Sequence, residues 1–417
     1  MTSLANSPFS SLTLFAMALF SAGCIGSVGP REEETCNDNR DWVIPTVDAG
    51  AVTDSGSVAD SGFIFTAATE VAAGANHTCA IQNYRLMCWG DNSRGQLGNA
   101  STTNSDSPVG VTGMDHDVTA VAAGNAYTCA IQSGALKCWG NNTYGRLGVG
   151  PGTMSSPIPL QVVGMTSGLT TVSANNWHTC AIQNGSLKCW GYNADSEIGD
   201  GTVSPSNIPV QTIGMTADVA AVSVGGNHSC AIKSGALTCW GDDQAFQLGY
   251  GPFGMPTPTP VIAMDAGVTA IAAGQFHTCA IQNGAAKCWG NNGYYQVGNG
   301  GAAIPYGSWG PVQVVGMTSN VTTIASGMSH ACAIQTGALK CWGLDDSGQL
   351  GIGGSTASSS PAQVIGLNQA VTKVSTSSGH TCAIQNGTVK CWGLNTSGQL
   401  GDGTHVNSNT PVTCIIR

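Results

Sequence analysis

From Phe63 to the C-terminus, apolar residues fall in short runs of five or six positions rather than at the spacing of a helix face. Four kinds of run recur in order, as in Val118-Thr-Ala-Val-Ala-Ala123, His178 to Gln183, Ser186 to Trp190 and Pro311-Val-Gln-Val-Val315. Each has the length and β-branched content of a strand. The first cysteine of each unit falls at 79, 129, 180, 230, 279, 332 and 382, a period of 49 to 53 residues that matches one propeller blade. This period overrides the usual division of a 417-residue chain into two or three domains. The pattern predicts an all-β chain, a seven-bladed β-propeller of four-stranded antiparallel blades over residues 63–417.

The turn between the second and third runs is Asn-Gly, Ser-Gly or Thr-Gly in six units, where Gly permits the positive φ of a two-residue hairpin. The first unit has Asn83-Tyr84, a turn expected to be strained or differently shaped. With Asn184-Gly185 as the loop, Gln183 faces Ser186, and counting outward sets Cys180 opposite Cys189 in a non-hydrogen-bonded pair. Cα atoms about 4.5 to 5.5 Å apart suit a disulfide. The same register pairs Cys79 with Cys88, Cys129 with Cys138, Cys230 with Cys239, Cys279 with Cys288, Cys332 with Cys341 and Cys382 with Cys391. The rival is a metal site, because His178 shares a strand face with Cys180. Tyr127 replaces that histidine while its cysteine pair persists, which favours the disulfide. The repeated histidine is expected to be a packed side chain held by a backbone carbonyl, and the repeated tryptophans (89, 139, 190, 240, 289, 342, 392) a packing layer between blades.

Only 9% of residues are charged while Gly numbers 58, which suits short strands and tight turns. A net charge of -10 with 13 Lys and Arg leaves no basic stripe for a phosphate backbone, so nucleic acid is excluded as a partner. Seventeen cysteines at regular spacing read as a disulfide framework in an exported protein.

The N-terminus agrees with export. Leu12 to Phe20 is an apolar run of signal-peptide length, followed by Ser21-Ala22-Gly23 and Cys24. Small residues before a cysteine resemble the lipobox of bacterial lipoproteins, which implies residues 1–23 as the signal peptide and Cys24 as the lipidated N-terminus. The alternative is an ordinary cleaved signal. Residues 24–62 include Asp48, Asp54 and Asp60 at a six-residue spacing with little to bury, and are expected to be a tether rather than a calcium loop.

Each Trp-Gly leads into a turn, as in Trp392-Gly-Leu-Asn-Thr-Ser-Gly-Gln-Leu-Gly401 and Trp89-Gly-Asp-Asn-Ser-Arg-Gly-Gln-Leu-Gly98, with Gly-x-x-His upstream, as in Gly74-Ala-Asn-His77. Over residues 63–417 this resembles the regulator of chromosome condensation repeat family, and the doubled cysteines resemble its secreted bacterial branch. The resemblance implies a seven-bladed propeller. The family includes a nucleotide exchange factor for a nuclear GTPase and a secreted inhibitor that caps β-lactamases with one propeller face. Exchange is not expected of an exported chain whose unit spacing leaves little room for an inserted hairpin, and the fold alone does not fix function.

Comparing the seven copies shows which positions the blade leaves free. The residue before the histidine varies, and Trp177 and Phe276 are candidate partner contacts there. Units three to five replace the first Gly of Gly-Gln-Leu-Gly with Ser196, Phe246 and Tyr295, and nearby connections add Tyr250, Phe253, Met255, Tyr306 and Trp309. These predict a protein- or glycan-binding patch on blades three to five, against the alternative of drift with local repacking. No nucleophile elbow, paired His-Glu zinc motif or phosphate loop is present, so the expected class is an interaction module rather than an enzyme, with a propeller-type hydrolase as an alternative. Neither cofactor nor metal is expected, and the chain is expected to be a monomer, held at the bacterial outer membrane or cell surface by its lipid alone, or else periplasmic or secreted. Cys36 and Cys414 are left over. They are expected to bond and tie the N-terminal arm to the last blade, unless Cys36 stays free or bridges to another chain.

Overall fold

The computed structural model describes residues 67–416 except Pro252, and no side chain at 304–306. The signal and the whole of the tether, with Cys24 and Cys36, lie outside the described residues. Seven four-stranded antiparallel sheets follow one another along the chain, each built from four consecutive strands. In blade 1 these are β1 (Ala68–Ala73), β2 (His77–Gln82), β3 (Arg85–Gly90) and β4 (Ser105–Gly110). The first strand of each blade lines a central channel of about 270 Å³, walled by small residues such as Ala72, Ala123, Ser223, Ala273 and Ser326.

The two-residue turns set the register predicted for the hairpins. Cys180 pairs with Cys189 and Gln183 with Ser186. All seven disulfides form, with Cα atoms 4.0–4.1 Å apart, somewhat closer than a generic strand pair. The metal alternative is thereby overturned. Asn83 and Tyr84 adopt φ of 56° and 59°, so the first hairpin keeps the same turn and carries a tyrosine in the left-handed region.

The cores lie between blades. The cluster at the first seam joins Ile81, Leu86 and the Cys79–Cys88 bond to Val118, Ala130 and Trp139 of the next blade. Each repeated tryptophan is fully buried and its Nε1 donates to the preceding blade, as Trp139 does to Gln96 O at 2.9 Å. The packing layer is therefore also a hydrogen-bonded one. At about 25 cal/mol per Å², each indole contributes roughly 5 kcal/mol. The last Gly of each Gly-Gln-Leu-Gly turn makes this approach possible. A methyl group on Gly98 would lie 2.5 Å from Trp139 Nε1, at a φ of 69°.

The repeated histidine differs from expectation: its partner is a hydroxyl of the next blade, not a carbonyl. His77 Nε2 is 2.8 Å from Thr128 Oγ1, which itself donates to Gln96 O. The hydroxyl has one proton and uses it on the carbonyl, so the imidazole donates from Nε2. His178 meets Ser229, His228 meets Thr278, His330 meets Thr381 and His380 meets Thr78 in the same way. At the second seam Tyr127 substitutes, donating to His178 O at 2.8 Å.

The ring closes without exchanging a strand between its ends. Thr78 with His380, Trp89 Nε1 on Gln399 O, and Lys373 with Glu70 at 2.6 Å join blade 7 to blade 1. One seam is incomplete. Between blades 5 and 6 the hydroxyl position is Ala331, and His277 is left with neither ring nitrogen bonded. Ala331→Thr is expected to restore the link and raise stability by about 1 kcal/mol, seen as a higher midpoint in urea or heat. An unchanged or lower midpoint contradicts this reading of the seam.

Cys414, at the end of the last strand, belongs to the core of the final blade. It is a free, buried thiol that donates to Leu400 O at 3.1 Å, beside Cys391. Its place in the blade is that of Val111, Val162 and Thr212, and Thr212 likewise donates to Ile198 O. Cys414 thus fills a core position, and the expected bond to Cys36 falls on a residue outside the described ones. Burial pushes its thiol pKa up.

Candidate interaction face

The loop that ends each first strand and the loop that follows each Trp-Gly lie at the same end of the blade, because four antiparallel strands return there twice. A backbone bond fixes the two together in every blade. Asp91 N donates to Asn76 O, Tyr192 N to Trp177 O and Asn291 N to Phe276 O, each at 2.8–3.0 Å. The residues before the histidines and the Gly-Gln-Leu-Gly turns therefore share one face. The hairpin turns occupy the other. Lysines there are used structurally, as Lys137 bonds Gln132 Oε1 while Gln132 Nε2 holds the carbonyls of Gly113 and His116.

Trp177 is half-buried over the guanidinium of Arg146, 4.8 Å from its ring centre. Tyr144 meets Trp177 edge-on at 6.0 Å and Tyr192 at 4.9 Å. Arg146 occupies the Gln position of its turn, and burial lowers its pKa. Its Nε donates to Thr143 O and its Nη1 to the carbonyls of Asn125 and Asn176. Its guanidinium also lies over the Tyr127 ring, 5.5 Å from the ring centre, and burial pushes the Tyr127 hydroxyl up to about 12. Tyr127, Tyr144, Arg146, Trp177 and Tyr192 are all departures from the repeat, and they meet at one seam. Sequence reasoning found Trp177 and missed Tyr144, Arg146 and Tyr192. Stacking the seven copies shows the signal, since Arg146 is the one basic residue at the Gln position.

Phe246 and Trp309 pack on each other with ring centres 5.4 Å apart. Elsewhere a side chain at the position of Phe246 meets the next blade's backbone: a methyl group on Gly95 would lie 2.5 Å from Pro157 Cα. The fourth strand of blade 5, Ile304–Gln313, is longer and irregular in register, and takes Trp309 against Phe246. Local repacking therefore accompanies the departure, yet Trp309 stays 63% exposed. Phe253 is 74% and Phe276 39% exposed, while Ser196 is buried and Tyr295 half-buried, both at a φ of 65°. Tyr294, beside it, is exposed and was not singled out from sequence. Tyr250 packs into the core between blades 4 and 5. The side chain of Tyr306 lies outside the described residues.

Between these aromatics the face is acidic. Burial pushes Glu197 up to about 7, and Asp195 is raised by burial and by Asp242. Asn176 Nδ2 donates to Gln275 Oε1 at 2.5 Å, joining the loops of blades 3 and 5. None of the residues lining the channel is titratable.

A family model described as the RCC1-like domain matches residues 134–416, and one described as the regulator of chromosome condensation (RCC1) repeat matches residues 85–131. The chain belongs to the RCC1-like domain family. Among solved structures, this RCC1-like chain is similar to Prp20p from Saccharomyces cerevisiae, a protein whose binding to Gsp1p and histones has been described. The two are 20% identical over 80% of this chain and 86% of that one, with a TM-score of 0.71. Human WBSCR16 is also 20% identical over 80% of this chain and 95% of that one, with a TM-score of 0.70. At this identity the likeness shows the RCC1-like fold alone. No curated protein sequence matches the chain.

Proposed function

We propose that this RCC1-like chain is a protein-interaction module, exported and lipid-anchored through Cys24 at the cell envelope, that binds its partner as a monomer through the loop face of blades 2–5. The observation that carries the reading is that Trp177, Phe276 and Trp309, which the blade does not require, stand on one face with side chains half-buried or exposed. Seven disulfides require an oxidising compartment, which supports export. No helix among the described residues is long and apolar enough to cross a membrane. A channel lined by small, non-titratable side chains supports binding rather than catalysis.

The experiment compares the full chain with a Trp177→Ala/Phe276→Ala/Trp309→Ala variant as bait in envelope extracts. The partner bound by the parent is expected to bind the variant at least tenfold more weakly, with an unchanged melting temperature. Equal binding would refute the face.

A further inference from the structure

Two blades depart from the internal chemistry of the turn, blade 2 with Arg146 and blade 3 with Glu197, and only the second puts an acceptor where the others have a donor. In five blades the third-last residue of the turn is Gln, and its Oε1 accepts from the backbone N–H two residues upstream. Gln96 accepts from Arg94, Gln247 from Ala245, Gln296 from Tyr294, Gln349 from Ser347 and Gln399 from Ser397, at 2.8–2.9 Å. The amide Nε2 is then turned to the loop that follows Trp-Gly. It donates to Asp91 at 2.6 Å, Asp242 at 2.9 Å, Asn291 at 2.9 Å and Asp346 at 3.0 Å in four of these blades.

Blade 3 has Glu197 instead. Its Oε2 accepts from Asp195 N at 3.0 Å, so Oε1 stands where the others have Nε2. A donor has been replaced by an acceptor, fully buried, and no group in the described structure hydrogen-bonds to it. The residue that the Gln would have met is Tyr192. Around this orphaned oxygen the charge is all of one sign. The charged groups acting on Glu197 are Asp195 and Asp242, and Asp242 also acts on Asp195. Asp195 Oδ2 receives a neutral amide, Asn227 Nδ2, at 3.1 Å. None of the three carboxylates belongs to an ion pair among the described residues. Three carboxylates thus meet at one seam, one of them buried without a donor.

We propose that this acidic cluster, Asp195 and Asp242 with Glu197 behind them and Tyr192 beside them, receives a lysine or arginine side chain of the protein partner. The proposal rests on the reading that this face binds protein. Charge complementarity selects the occupant, because a basic side chain relieves the like-charge repulsion and lays its cation against an aromatic ring. The isostere Glu197→Gln restores the arrangement of five other blades and so is compatible with folding.

The test uses fluorescein-labelled tetra-arginine and tetralysine peptides, with tetraglutamate as control, titrated with the full chain at about 0.15 M salt and followed by anisotropy. Binding of the basic peptides is expected to weaken at least tenfold in Asp195→Asn/Asp242→Asn and about threefold in Glu197→Gln. It is expected to change less than twofold in Asp91→Asn/Asp346→Asn, which removes the same charge elsewhere on the face. Equal weakening by the two double variants would show general attraction only and overturn the proposal. So would absence of binding, or displacement of the peptides by calcium at stoichiometric concentration. Against the envelope partner, full binding by Asp195→Asn/Asp242→Asn together with loss of binding by the triple alanine variant sinks this proposal and leaves the face standing. Full binding by both sinks the two together.

Discussion

Acidification from pH 6.5 to pH 4.5 is expected to unfold the ring. Six seam histidines are fully buried as neutral imidazoles, and burial lowers their pKa values to about 4 for His77 and His330 and about 3 for His178, His228, His277 and His380. An unfolded chain takes up these protons near pH 6.5, whereas the folded one does not until well below. Between those values the unfolded state binds more protons, so stability rises with pH, is fully present above about pH 6.5, and is lost as pH falls. Each histidine contributes about 1.4 kcal/mol per pH unit in that window, together roughly 8 kcal/mol per unit. Glu197 and Asp243, raised to about 7, and Asp345, raised to about 6, act in the opposite sense, since their folded forms hold protons the unfolded chain has released. Three carboxylates offset six imidazoles only in part. Thermal melts at pH 7.5, 6.5, 5.5 and 4.5 should show a midpoint that collapses below pH 6. A flat midpoint over that range contradicts the seam histidines as described.

Loss of the disulfides is expected to have the second large effect. Each bond closes a loop of sequence separation 9, for which the chain-entropy model gives about 2 to 3 kcal/mol. Seven such contributions, about 14 to 21 kcal/mol, match or exceed the roughly 5–15 kcal/mol by which a domain is ordinarily stable. A chain produced in a reducing cytosol, or with all fourteen cysteines replaced by serine, should therefore lack the far-UV signature of a propeller and be cleaved rapidly by protease. Removing one bond by Cys180→Ala/Cys189→Ala should lower stability by about 3 kcal/mol and leave a folded ring. A fully reduced chain that melts with the parent would contradict the disulfides as a main support of the fold.

What the sequence makes legible is what lies within one repeat. A two-residue loop fixes parity, so Cys180 must face Cys189 whatever surrounds the hairpin, and the seven-fold recurrence of Trp-Gly sets blade number. What it leaves hidden depends on neighbouring repeats. His77 finds Thr128, and Arg146 finds Trp177, because the ring sets each turn against the first loop of the following blade. That offset of one repeat cannot be read inside a unit. Cys414 stands at the blade position of Val111 and Val162, which marks it as a core side chain. Trp177, Phe276 and Trp309 were visible as departures, and only the backbone bonds between the two loop sets place them on a common face.

The proposed interaction face is tested most directly by placing a photoactivatable benzoylphenylalanine at Tyr144, Phe253 and Trp309 on the loop face, and at Tyr84 and Asn184 on the hairpin face, in the full chain expressed in its own cells. Discrete adducts from the first three positions, absent from the last two and suppressed when Trp177→Ala/Phe276→Ala is added, are the predicted result. Adducts confined to Tyr84 and Asn184, or equal from both faces, would contradict the account.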